Sequence, residues 1–130
     1  MYDAGSEYNG GNAKERNVQT MNTFYVSIDV ESAAIAINKE VVDGSITGEL
    51  IDFYEVKEEK GSLVVLVFEK HYWRAGNRLT LTVTIDDLCG KTRVHYVSGG
   101  GGEGLFRFDW GAAESFEGVA EDALRNYIIP

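Results

Sequence analysis

Three groups of residues in this chain have types and spacings that could support chemistry. The first is a glycine run. In "VHYVSGGGGEGLFRFDWG" (94–111), Gly99, Gly101 and Gly104 spell G-x-G-x-x-G directly after a strand-like stretch. That pattern holds a dinucleotide when a helix opens at the glycines and points its N-terminus at the pyrophosphate. Here "LFRFD" follows, alternating like a strand, so a helix would start about six residues too late for that chemistry. The reading is a hairpin loop whose glycines allow positive φ. Gly90-Lys91-Thr92 imitates the end of a phosphate-binding loop, but the required leading glycine is Ile85. No nucleotide cofactor is expected.

The second group is the pair of histidines, His71 and His95. Hairpin pairing across "RAGN" sets His71 opposite Thr80, and pairing across "DLCGK" sets His95 opposite Thr84. Both then project from a threonine-rich sheet face, roughly 16 Å apart by strand spacing. One metal ion does not bridge that distance, so both histidines are read as solvated sheet residues and no metal site is expected. No G-x-S-x-G or serine–histidine spacing occurs. The lone Cys89 has only Lys91 nearby to lower its pKa. Paired acids such as Asp86-Asp87 and Glu58-Glu59 occupy turns, where solvated charge is the ordinary explanation. An enzyme is not expected.

The third group is built around Lys70. The same hairpin registers put Trp73 opposite Arg78, Tyr72 opposite Leu79 and Lys70 opposite Leu81, with Ser98 beyond Leu81 and Tyr96 beside it. This row lies on the core face and ends at Gly99 and Gly101. A lysine buried there dry and unpaired is costly, so it snorkels or lines a wet cavity. The expected ligand-binding set is Lys70, Tyr72, Tyr96, Ser98, Gly99, Gly101 and Trp110. The expected ligand is a small acidic amphipathic molecule between the sheet and the C-terminal helix.

The elements that must position these residues follow from periodicity. "TFYVSID" alternates as a strand, with Phe24, Val26 and Ile28 on one face. Asp29 can cap "VESAAIAINKEVVDG", in which Ala34, Ile37 and Val41 fall at helical spacing and Gly44 is a natural stop. Four strands follow, "SITGELIDFYEV", "SLVVLVFEKHYW", "RLTLTVTID" and "TRVHYVS", separated by turn-like segments. "SLVVLVF" is apolar on both faces, as interior strands are, and its Val65 and Val67 could meet a second subunit. "LFRFD" is a further short strand. In "WGAAESFEGVAEDALRNYII", Phe116, Ala120, Ala123 and Tyr127 form a helical stripe widened by Val119, Leu124 and Ile128. Asp109 is its N-cap candidate.

The order β-α-β-β-β-β-β-α, with hairpin-sized connections, predicts an α+β fold. A curved antiparallel sheet of five to six strands carries two helices on one face. Element order resembles the TATA-binding-protein-like and helix-grip folds. From Met21 onward, "VVDGSITGEL", "FEKHYWRAGNRLTLTV" and "SGGGGEGLFRFDWGAAESF" resemble a family of small bacterial domains of unknown function. That resemblance implies a domain boundary and a bacterial origin, and it carries no activity over to this chain.

Bulk properties bound the rest. The 130 residues suit one domain, and 44% hydrophobic residues can fill a core without staples. Residues 1–20 carry no apolar period and read as a loose tail, so the domain is placed at 21–130. A net charge of −9 argues against nucleic-acid partners. No apolar run approaches the roughly 20 residues of a membrane helix, and the polar N-terminus lacks a signal-peptide core. A cytoplasmic binding module is expected, the alternative being a protein-interaction or homodimerising domain that uses the outer sheet face.

Overall fold

The computed structural model describes residues 22–44, 47–72, 77–100, 116 and 118–130. Alternation makes Thr23–Val26 the first strand, β1, and Val26 is buried. Asp29 then turns the chain into helix α1, Val30–Asp43, by accepting the Ser32 N–H at Oδ1 (2.8 Å). Val30, Ala33, Ala34, Ile37 and Val41 form its buried stripe. Gly44 ends it, donating its N–H to the Glu40 carbonyl at 3.0 Å.

Four long strands follow: β2 (Glu49–Glu58), β3 (Gly61–Tyr72), β4 (Asn77–Asp86) and β5 (Thr92–Gly100). A short helix α2 (Val119–Ala123), a 3-10 turn (Arg125–Tyr127) and strand β6 (Ile128–Ile129) close the chain. The sheet has six antiparallel strands in the order β2-β3-β4-β5-β1-β6. α1 packs on β2, β3 and β4 and against α2. Leu66, Phe68, Leu79, Leu81, Val83 and Ile85 are fully buried beneath this layer. The α+β class, the antiparallel sheet, the two helices and the element order are those read from the sequence. "LFRFD" lies outside the described residues, as do residues 1–20.

Three details differ from expectation. Across the β3–β4 turn, Lys70 pairs with Leu79, His71 with Arg78 and Tyr72 with Asn77. The expected partners were Leu81, Thr80 and Leu79. The strands pair two positions closer to the turn, and because the shift is even every side chain keeps its face. The β4–β5 register is as expected, with Ile85 opposite Val94, Val83 opposite Tyr96 and Leu81 opposite Ser98.

The C-terminal helix stops at Ala123. Phe116, Ala120 and Leu124 are buried as the stripe required, but Tyr127 is 42% exposed. Ile128 instead pairs with Val26 of β1. Asn126, Tyr127 and the β-branched Ile128-Ile129 favour the sheet edge over another helical turn.

The acids of the β4–β5 turn are not merely solvated. Asp86 is buried and accepts a fork of hydrogen bonds from Arg93 Nε (3.0 Å) and Nη2 (2.8 Å), with a third from the Leu88 N–H (3.0 Å). Asp87 accepts the Ser62 N–H at 2.7 Å and so ties this turn to the start of β3.

Candidate functional site

Lys70 faces the helix-covered side, half-buried, with its ammonium 5.8 Å above the centre of the Phe116 ring. That position gives the charge an aromatic face while its stem packs on the sheet. Across the sheet, Lys70 is followed by Leu79 and Gly100, whereas Ser98 aligns with Leu81 and Phe68. The expected row of Lys70, Leu81 and Ser98 is therefore two adjacent rows. Tyr96 is buried. Its ring meets Phe24 edge-on at 6.1 Å and its hydroxyl donates to the Glu121 carboxylate, so it fastens α2 to the sheet. Gly99 is a strand residue whose carbonyl accepts the Thr80 hydroxyl at 3.3 Å. Tyr72 ends β3 by its backbone, with its side chain outside the described set. Gly101 and Trp110 also lie outside the described residues.

The glycine run begins inside β5. Gly100 adopts φ +93°, and a Cβ there would come within 2.8 Å of the Arg78 carbonyl. Close backbone approach in the sheet is what demands glycine at this position.

An open groove of about 370 Å³ lies on the same face, between α1 and the edge strand β2. Its helix wall is Glu31, Ala34, Ile35 and Asn38, an i, i+3, i+4, i+7 stripe beside the buried one. Its sheet wall is Leu50, Phe53 and Glu55 of β2 with Val64 and Leu66 of β3. Leu50 and Phe53 share this wall because of a β-bulge. Leu50 pairs with Phe68, Asp52 with Val67 and Phe53 with Leu66, leaving Ile51 as the extra residue. The bulge reverses the alternation, so Phe53 turns inward and stays 51% exposed. Ile35 is 63% exposed on the opposite wall. Lys57 spans the rim, 3.9 Å from Glu31 and 3.7 Å from Glu55.

Asn38 adds a polar side chain to the helix wall. Asn38 Oδ1 is shielded from solvent and has no hydrogen-bond partner among the described residues. A buried carbonyl left in this state costs on the order of 1–3 kcal/mol. Sequence reading missed Asn38, Ile35 and Phe53. The signal for the helix wall was present, since Ile35 and Val42 are apolar yet stand off the core stripe. No local signal marked the bulge.

The outer sheet face carries the other chemically able groups. His95 Nδ1 lies 2.8 Å from the Thr23 hydroxyl. His71 is six residues along from the level of His95, because it pairs with Arg78 rather than Thr80. By strand spacing the two rings are roughly 22 Å apart. His71 Nε2 is instead 3.7 Å from Glu69, which also meets Arg78 at 3.5 Å. Glu49, directly opposite Glu69, completes a three-residue cluster. Cys89 is exposed, with Sγ 3.6 Å from the Lys91 carbonyl.

Among the described residues, no helix is long and apolar enough to cross a membrane. No curated protein and no solved structure matches the chain. A profile described as "Family of unknown function (DUF6054)" matches residues 20–128, from just before β1 into β6. The match covers nearly every element described above, and the chain belongs to that family of unknown function.

Proposed function

We propose that the protein is a non-catalytic binding module that holds a small amphipathic molecule in the groove between α1 and β2. The observation that carries this reading is the Asn38 carbonyl, desolvated and without a donor among the described residues, in a groove whose apolar lining is Ala34, Ile35, Leu50, Phe53, Val64 and Leu66, with Glu31 and Glu55 beside them. Small-molecule sites combine apolar walls with a few placed polar groups in this way. The ligand is an apolar, ring-sized body bearing one hydroxyl or N–H that donates to Asn38 Oδ1.

An acidic head group extends the proposal. Lys70 lies one inward row beyond Leu50 and Phe68, about 7 Å further along the sheet. Its ammonium is the cation on this face nearest that end of the groove by register. A carboxylate there would meet it, displacing its contact with the Phe116 ring. The non-catalytic assignment is supported by the setting of Thr23 and His95, a hydroxyl–imidazole pair on an open sheet face rather than in the groove.

Native mass spectrometry of freshly purified protein tests the reading. A bound small molecule retained by the wild type and lost from Asn38→Leu supports it. Retention in that variant contradicts it. For the acidic head, 2-naphthol and 6-hydroxy-2-naphthoate serve as probes. Lys70→Met should weaken only the naphthoate, and equal effects on both remove the carboxylate from the proposal.

A second reading has its own observation. The outer face carries Tyr54, Leu63, Val65, Val67 and Val97, of which Tyr54 and Val97 are about half exposed. Homodimerisation through this face predicts a concentration-dependent mass in sedimentation equilibrium that Val97→Lys abolishes.

A further inference from the structure

We infer that Glu49, Glu69 and His71 form a binding site for a divalent transition-metal cation of the zinc type. The site stands on the outer face, apart from the groove, and does not depend on the function proposed for it.

Strand register brings the three residues together. Glu49 of β2 is directly opposite Glu69 of β3, and His71 follows Glu69 at i+2. A cross-strand partner plus an i, i+2 pair puts three side chains on one face, separated by one strand spacing and one pleat repeat. One ligand atom from each lies within 4.8 Å of the others, and His71 Nε2 is already 3.7 Å from Glu69. Ligand atoms around a tetrahedral ion with bonds of about 2.0–2.1 Å sit about 3.3 Å apart. Closing the site therefore needs a shift of up to about 1.5 Å, within reach of the exposed Glu49 side chain.

The donor set selects the ion. Two carboxylates neutralise a dication, and the imidazole favours zinc-like metals over calcium and magnesium, which take oxygen ligands. Three protein ligands leave a fourth position open to water on the exposed face.

Two further observations distinguish this cluster from a chance meeting of surface acids. The Glu69 side chain is only 16% exposed, yet Arg78 and the His71 imidazole stand 3.5 and 3.7 Å from it, longer than a charge-assisted hydrogen bond. A metal ion would occupy the space those groups leave. Thr47 also donates its hydroxyl to the His71 carbonyl at 3.0 Å. That bond clamps the entry to β2 onto the end of β3 and holds Glu49 beside His71. Arg78, 63% exposed, can swing away and release Glu69 Oε1 to the ion.

The test uses the full chain, stripped with EDTA and dialysed free of it, titrated with zinc chloride by calorimetry. Cobalt(II) absorption reports the geometry. One equivalent should bind with a Kd of about 100 μM or tighter. Glu49→Gln and His71→Ala should each weaken binding at least about tenfold and diminish the visible cobalt bands. Arg78→Gln should bind at least as tightly as the wild type. Glu49 is exposed, so Glu49→Gln keeps the fold, which circular dichroism verifies. Weaker wild-type binding, an affinity unchanged in either ligand variant, or a loss of binding in Arg78→Gln would each overturn the site.

Discussion

Asn38 carries a cost that stability alone would remove. Its carbonyl is buried without a donor among the described residues, so a similarly sized apolar side chain should relieve the penalty. Asn38→Leu is expected to stabilise the protein by about 1 kcal/mol in urea unfolding. A loss of stability would mean that the amide has a structural task. Asp86 shows the opposite case. Its carboxylate satisfies the Arg93 guanidinium and the Leu88 N–H together, and that pairing raises the Arg93 pKa above its ordinary value. Asp86→Ala should cost about 2–3 kcal/mol, because it strands three N–H donors at once. A cost under about 0.5 kcal/mol would reduce the turn to a surface ion pair.

Among the elements, α1 has the best-defined start. Hydrogen bonds from the Ser32 hydroxyl and N–H hold the Asp29 carboxyl below its ordinary pKa. A group whose folded pKa is depressed stabilises the fold above its unfolded value and loses that contribution as pH falls through the folded one. The advantage of wild type over Asp29→Ala should therefore be constant at pH 5–7 and shrink below about pH 4. A difference that does not change down to about pH 2.5 would contradict the cap. β5 has an equally specific requirement at Gly100. A side chain there meets the Arg78 carbonyl and strains a backbone at φ +93°. Gly100→Ala should cost about 1–3 kcal/mol in the same unfolding assay, whereas a neutral result would show that β4 and β5 can part at this point.

At this scale the limits of sequence reading have physical causes. The β4–β5 register was legible because "DLCGK" is a short turn between two long alternating strands. The β3–β4 register slipped by two because "HYWRAGNR" can close around more than one turn, and an even slip costs no hydrophobic face. Leu50 and Phe53 looked like residues of opposite faces in "SITGELIDFYEV". Only the bulge at Ile51 puts them on one wall, and a bulge leaves no mark in local composition. The C-terminal stripe correctly gave Phe116, Ala120 and Leu124 as buried. It overran because Ile128 and Ile129 suit a helix stripe and a strand equally well.

For the whole molecule, the sheet is covered on one side by α1 and α2, and the groove lies where α1 packs over β3 and the edge strand β2. α+β class and element order followed from periodicity, since each long segment has one dominant period. The groove did not, because it depends on how far a helix reaches across a sheet. Both β1 and the family match begin near residue 20. Removal of residues 1–20 should accordingly leave the thermal midpoint within about 5 °C, a change worth on the order of 1 kcal/mol at this size. A larger fall would give that segment a place in the fold.

The groove is the centre of this account, and a two-dimensional amide NMR titration of the full chain with 6-hydroxy-2-naphthoate addresses it most directly. The expected shifts fall on Glu31, Ala34, Ile35 and Asn38 of α1 and on Leu50 to Glu55 of β2, and the affinity drops about tenfold in Asn38→Leu, the equivalent of about 1.4 kcal/mol. Shifts confined to the outer face, or no shift up to about 1 mM probe, would contradict it.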